Sequence, residues 1–474
     1  MLISIQCAQE LKDEIVKAVN AAKQCAHPVI LSYVFESKIQ DPLQAFSSFQ
    51  SESAGKRFYW ATPDGTFSLF GMDVELTLTP DIDCSNRFTF IEEVWKKWKQ
   101  YLFFAGTHPF GTGPIMFGGF SFDPCKKDET MKWKSFHEAR FTLPSVLITR
   151  NKLKSYVTIN KIIEPSHQIE EIADHFYRYE QQISGNLNRG SSYFAPVLKN
   201  EQTFYKKEWL QAVQKATEQI KQKRFEKVVL AREILLEFEE TIDVRGVLEA
   251  LHEQQPNCYL FVMENGNKTF IGATPERLIK KEGRKVLSAC VAGSIHRGGN
   301  PAEDEKFGKQ LLSDEKNLHE HRIVVKAIEA VFQQFCQEVT LPSKPSLLKT
   351  PNIQHLYTPV EGKVKNHFSL LNFVEKLHPT PALGGFPKQE ALAFIREEEP
   401  LERGWYAAPV GWMDHQGNGE FVVAIRSGLI CENRAYLFAG CGIVGDSIPE
   451  EELKETEMKF RPMLHALGGK GYAK

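Results

Sequence analysis

The chain has no uninterrupted apolar run of about 18 residues, so it offers no stretch for a spanning helix. Residues 1–30 carry charges throughout and lack the apolar core of a signal peptide. Charge of one sign is missing too: 58 Lys and Arg stand against 60 Asp and Glu, a formal net charge of −2. That balance gives no electrostatic case for nucleic acid or for an anionic membrane surface. The nine cysteines include no C-x-x-C pair, and their number is odd. Reduced, buried thiols in a cytoplasmic protein are expected. There is no internal repeat and no low-complexity tract.

What is present is an ordinary globular composition, 42% hydrophobic and 25% charged, with 33 phenylalanines for a large aromatic core. A length of 474 residues suits two or three average domains or one large core. Amphipathic helices are expected over residues 10–24, 90–102 and 168–183, and one long helix over residues 304–336. Residues 28–78 read as short strands, with a turn at Pro63-Asp64-Gly65. Further strands are expected at 141–149, 155–163, from Lys227 onward, and at 258–264, 268–273, 354–360, 408–413, 421–431 and 434–440. Residues 184–203, rich in Gly, Asn, Ser and Pro, mark a junction between halves 1–200 and 201–474. Strand runs mixed with long helices give an α+β class with large antiparallel sheets. Gly111 and Gly113 invite a dinucleotide-loop reading, but no third glycine follows in place, and Pro114 spoils the helix start.

The stretch with the most chemistry is residues 439–460, AGCGIVGDSIPEEELKETEMKF. Gly440 and Gly442 are free to take positive φ and to let a ligand come close. Asp446, Ser447 and Pro449 look like a capped helix start. Glu452, Glu455 and Lys459 then share one helical face, able to hold a hard cation and an anion. A solvated acidic face is the ordinary alternative, since Glu450, Glu451 and Glu457 lie there too.

Other candidates also carry two readings. Lys227 begins an apolar strand, either as a snorkelling edge residue or, if desolvated, as a base. Glu276 follows a proline at a strand end, as an acid or as the partner of Arg277. In His319-Glu320-His321 the two histidines point to different faces and H-E-x-x-H is absent, so Glu320 alone is a reasonable ligand for an oxygen-liking metal. His355 is a lone histidine in an apolar strand. Arg426 interrupts another apolar strand and needs an anion nearby.

Together these pieces resemble one family, the chorismate-utilising enzymes. The matching blocks are KVVLAR, GATPERL, VAGS, HEH, IQHL, HPTPALGGFP, RGWYAAPVGW, FVVAIRSG, AGCGIVGDS and ELKETEMK, all in one order over residues 208–466. The N-terminal half matches chiefly through GGFSFD, residues 118–123. The resemblance implies the fold of anthranilate synthase component I: a sandwich core of large antiparallel sheets with helices outside. It implies chorismate as substrate and Mg2+ held by Glu320 and Glu455, with Glu452 in support. It implies that Tyr406, Arg426, the amides of Gly440 and Gly442, and Lys459 grip the substrate, and it assigns His355 to the active site.

The same resemblance narrows the reaction. Lys227 matches the lysine that water-adding members use as base, where amine-adding members look like they carry glutamine. Ala292 stands where a nucleophilic lysine marks the aminodeoxychorismate branch. Ala382, beside Leu383, matches members that stop at isochorismate. Cys290 and Ser294 depart from the family's proline and threonine. The expectation is a magnesium-dependent isomerase that adds water at C2 of chorismate and expels the C4 hydroxyl, with Lys227 as base and Glu276 as acid, for menaquinone synthesis. A salicylate-forming enzyme and a non-catalytic chorismate-binding regulator are the alternatives. A monomer with no membrane or nucleic-acid partner is expected.

Overall fold

The computed structural model describes residues 5–39, 41–49, 53–80, 86–125, 131–185, 196–351 and 353–468. Its frame is a pair of sheets, of 13 and 10 strands among the described residues. Every pairing is antiparallel except that of Val29–Ser37 with Leu102–Gly106. In the larger sheet the strands before residue 164 form one run and those after residue 197 form another. The two runs join where Tyr259–Asn265 pairs with Arg57–Ala61. In the smaller sheet the corresponding join is Pro409–Asp414 against Ile115–Phe120.

Alternation along each strand builds two cores. Tyr259, Phe261 and Met263 point into the core shared with the smaller sheet, whereas Leu260 and Val262 point to a second core under the helices. Across the sandwich Phe58 stacks on Phe117 at 5.7 Å and Phe67 meets Trp412 at 5.4 Å. The second core is closed by helices that include Ile5–Cys25, Ile169–Ser184 and Pro449–Ala466.

One buried ion pair stands beside the join in the larger sheet. Glu264 receives Arg57 through Nη2 at 2.6 Å and Nε at 3.0 Å, with both side chains 3% exposed. Its Oε2 also accepts the amides of Gly55 and Arg57. Glu264→Ala strands the guanidinium and should cost about 3–5 kcal/mol. Urea unfolding reads this as a lower midpoint at unchanged m.

Several expectations need correction. The helix expected over residues 304–336 is two helices, Pro301–Ser313 and Glu315–Phe335. Asp314 breaks it: its backbone is extended, and its carboxylate accepts the Asn317 amide to cap the second helix. The strand expected over 421–431 is also two, and they belong to different sheets. A helix, Pro42–Ser48, interrupts the stretch read as strands, capped by Asp41. The helix Pro449–Ala466 starts at its proline, but neither Asp446 nor Ser447 caps it: its N-cap is Ile448, without a side-chain bond. Ser447 turns back to accept the Val444 amide instead. Within the proposed junction, residues 186–195 lie outside the described residues, and Leu198–Thr203 is an exposed edge strand. Cys25, Cys125, Cys258, Cys290, Cys336, Cys431 and Cys441 are free thiols; Cys25 and Cys125 are exposed, at a helix end and in a loop, against the expectation of burial. Among the described residues no helix is long and apolar enough to cross a membrane.

Candidate active site

Two strand crossings between the sheets place the central pair of residues. The chain leaves the larger sheet after Lys268–Thr274, turns at Pro275 and enters the smaller one as Arg277–Glu282. It makes the opposite passage between Gly419–Val423 and Ser427–Cys431. The crossings run side by side: the Val423 amide donates to Glu276 O at 3.0 Å, and the Ala273 amide to Arg426 O at 3.1 Å. Glu276 and Arg426 are the residues at the two bends. Arg426 takes φ +51°, the left-handed region that a bend of this kind demands. The break in the apolar pattern at Arg426 is therefore the bend itself.

Both residues open onto one cavity of about 260 Å³. His355, Tyr406, Gly440, Gly442, Lys459, Ala382, Leu383, Glu320, Glu452 and Glu455 line it as well. Lys227 is the one candidate not on its wall. It lies 2% exposed behind Glu320, to which its ammonium donates a short hydrogen bond. The glycines do not serve as expected. Gly440 and Gly442 lie in the strand Arg434–Ile443 without positive φ. What they supply is space. A Cβ at 442 would sit 2.8 Å from Lys227 Cε and 3.2 Å from Glu320 Oε1, and one at 440 would sit 3.3 Å from the Tyr406 hydroxyl.

The electrostatics divide the groups. Burial pushes the Glu276 carboxyl up to about 8, against the pull of Lys227, Lys459 and Arg426. Its expected partner Arg277 is engaged elsewhere, on Glu420 at 2.8 Å and the Tyr259 hydroxyl at 2.7 Å. Burial, with Arg426 and Lys459 adding to it, takes the His355 imidazole down to about 3, so it is neutral. Its Nδ1 lies 2.7 Å from Ser294 Oγ. Burial also lowers Arg426, whose guanidinium has no hydrogen-bond or ion-pair partner among the described residues. Lys459 donates to Gly440 O at 2.8 Å and pairs with Glu455 at 2.6 Å. His321 is buried between Ala292 O and Thr358 Oγ1, and His319 is exposed on another face, so the two histidines share no ligand.

Sequence reasoning passed over other residues of the wall. Ser294, in the sequence only a departure from a family pattern, holds His355. Arg403 lines the same cavity, and its place in an apolar, aromatic-rich block gave no sign of that.

A family model described as chorismate binding enzyme matches residues 17–468. The chain belongs to the chorismate-binding enzymes. It is 40% identical to isochorismate synthase MenF of Bacillus subtilis, over 99% of each chain. It is 34% identical to the salicylate biosynthesis isochorismate synthase of Pseudomonas aeruginosa, over 98% of this chain and 96% of that one. Its fold matches the solved structure of MenF, the menaquinone-specific isochorismate synthase from Escherichia coli, with a TM-score of 0.78 at 24% identity, covering 96% of this chain and 100% of that one. For a chorismate-binding enzyme the cavity has suitable chemistry: the buried Glu276 acid, the unpaired Arg426 guanidinium, and the carboxylates of Glu320, Glu452 and Glu455 in its lining.

Proposed function

We propose that the chain is an isochorismate synthase of the menaquinone type, converting chorismate to isochorismate. The observation that carries the site chemistry is the buried Glu276 carboxyl, raised to about 8 in the cavity that also holds the unpaired Arg426. Arg426, Tyr406, Lys459 and the amides of Gly440 and Gly442 receive the carboxylates of the substrate. Lys227 removes a proton from a water whose oxygen attacks C2. The ring double bond shifts, the C4–O bond breaks, and Glu276 gives its proton to the departing hydroxyl. One water enters and one leaves, so the change is an isomerisation. Neutral His355, oriented by Ser294, borders the ring, and Ala382 and Leu383 close its side.

Glu320, Glu452 and Glu455 are the residues that would hold a magnesium ion. The donor set fits, since all three are oxygen ligands lining the one cavity. Burial raises the Glu452 carboxyl, and the nearby charge of Glu455 raises it further, a strain that a cation would relieve. Among the described residues no three such side chains already stand in metal-holding geometry. Glu320 is held by Lys227 and Glu455 by Lys459 instead. When bound, the ion would offset the substrate's carboxylate charge and compete with the lysines for these carboxylates. Glu320→Gln and Glu455→Gln should each raise the Mg2+ needed for half-maximal turnover by on the order of tenfold, since affinity follows ligand charge. Calorimetric titration of Mg2+ gives the same order of weakening without turnover.

A cytoplasmic monomer whose residues 1–200 complete the sheets of the catalytic half is part of the proposal. One assay tests the activity: chorismate with Mg2+, with and without ammonium, and product chromatography. Isochorismate is expected. Salicylate with pyruvate would move the chain to the salicylate-forming branch, anthranilate would overturn the role of Lys227, and unchanged chorismate would make it a binder.

A further inference from the structure

The cavity contains two arginines, and they are in opposite states. Arg426 has a bare guanidinium, as a residue waiting for a substrate carboxylate should. Arg403 has none of its three nitrogens free. Nε donates to Glu399 Oε1 at 2.8 Å and Nη2 to Glu399 Oε2 at 2.7 Å, a bidentate pair with side chains 3% and 0% exposed. Nη1 donates to Leu383 O at 2.9 Å, and Nη2 donates also to Val229 O at 2.7 Å. The guanidinium lies 4.1 Å from the centre of the Phe122 ring. Glu399 then reaches on: its Oε2 accepts the Ala231 amide at 2.7 Å.

These bonds add a side-chain tie between two pieces of the site, the strand of the proposed base and the Leu383 loop, beyond the short backbone pairing of Lys227 with Phe386 and Val228 with Gly385. Val229 and Ala231 belong to the strand Lys227–Phe238, two and four residues along from the proposed base. Leu383 belongs to the loop that closes the side of the ring. The same loop reaches the strand again, through Val229 N to Gly384 O at 3.0 Å and Glu226 N to Phe386 O at 2.8 Å. Arg403 and Glu399 thus sit where the loop leaves the strand, and they tie both to one rigid fork.

We infer that Arg403 and Glu399 are positioning residues for the reaction, setting the distance between the strand that carries Lys227 and the Leu383 wall that holds the ring against it. This rests on the isochorismate synthase reading. The pair touches no reacting atom. It acts through the backbone of Val229, Ala231 and Leu383. A lysine at 403 keeps the charge but has no planar fork, so it cannot satisfy both Glu399 oxygens and two carbonyls at once.

The test is steady-state kinetics on Arg403→Lys, Glu399→Gln and the double variant, with thermal unfolding to show that each is folded. Misplacement of a reacting group by about one ångström costs on the order of 10²-fold. Arg403→Lys should therefore lose roughly that factor in kcat while KM for chorismate changes little, because Arg426, Tyr406 and Lys459 are untouched. Glu399→Gln should fall in kcat in the same way. The double variant should be little worse than Arg403→Lys, since both act on one network. A folded Arg403→Lys with wild-type kcat overturns the inference, as does a loss confined to KM. If Arg403→Lys does not fold, Glu399→Gln decides on the same terms, and if neither folds the pair is structural only and the inference fails. Wild-type enzyme that makes no isochorismate would instead sink the functional reading beneath it.

Discussion

Glu276→Gln lowers turnover by on the order of 10²–10⁴-fold, the usual worth of a positioned acid, and makes the folded chain more stable at pH 8. Both effects have one cause. The carboxyl is buried at the bend between the sheets, and that burial raises it from 4.5 to about 8. In the unfolded chain it ionises near 4.5; in the folded chain it holds its proton until about 8. Between those values unfolding releases a proton, so the stability present in full below 4.5 is lost progressively as pH rises toward 8. Glutamine keeps the shape, carries no proton to release and removes that loss. The acid is useful only while protonated, so wild-type kcat/KM should fall above about pH 8. Product formation gives the first effect, and calorimetric Tm at pH 5 and pH 8 gives the second. Residual activity near wild type, or a wild-type Tm that ignores this pH interval as the variant's does, would remove Glu276 from the role.

The same bend shows where sequence pattern is informative and where it stops. Near-continuous apolar runs such as YLFVM and FIGA place strands well, because residues on both faces of the larger sheet are buried there. The pattern does not say which sheet a strand joins. Residues 421–431 read as one strand broken at Arg426, and the break is where the chain changes sheets. That is a tertiary choice, made by pairing with Lys268–Thr274 and Arg277–Glu282. The long helix failed for a local reason that was visible: Asp314 three residues before Asn317 is a capping signal inside an apparently continuous stripe. At the site, the helical spacing of Glu452, Glu455 and Lys459 was readable, because one face of one helix meets the cavity. The pairing of Lys227 with Glu320 is not readable, since 93 residues separate them, and although Glu399 is only four residues from Arg403, the Val229 carbonyl that completes its set is 174 residues away. The two glycines, expected to serve through positive φ, do not take it. Their use is the missing Cβ, and only the position of Lys227 reveals it.

Lys227→Ala abolishes all but a small residue of turnover, again on the order of 10²–10⁴-fold, with KM little changed. Nothing among the carboxylate-gripping groups is removed, so substrate still binds. The loss by itself is ambiguous, since alanine also leaves Glu320 without its lysine partner and opens a void at the base of the site. Lys227→Arg separates the causes. Arginine keeps a cation beside Glu320, but a guanidinium does not give up its proton and cannot take one from water. If Lys227 only pairs Glu320, the arginine variant works; if it is the base, the variant is folded and inactive. The space is tight, because a Cβ at Gly442 would already press on Lys227 Cε, so folding must be shown by thermal unfolding in the same preparation. Methylamine supplies the converse check. An added amine that enters the space left in Lys227→Ala should restore a measurable part of the turnover, rising with the fraction of amine that is unprotonated, and should do nothing for Glu276→Gln. An active Lys227→Arg would take the lysine out of the proton path and leave the attacking water without its base.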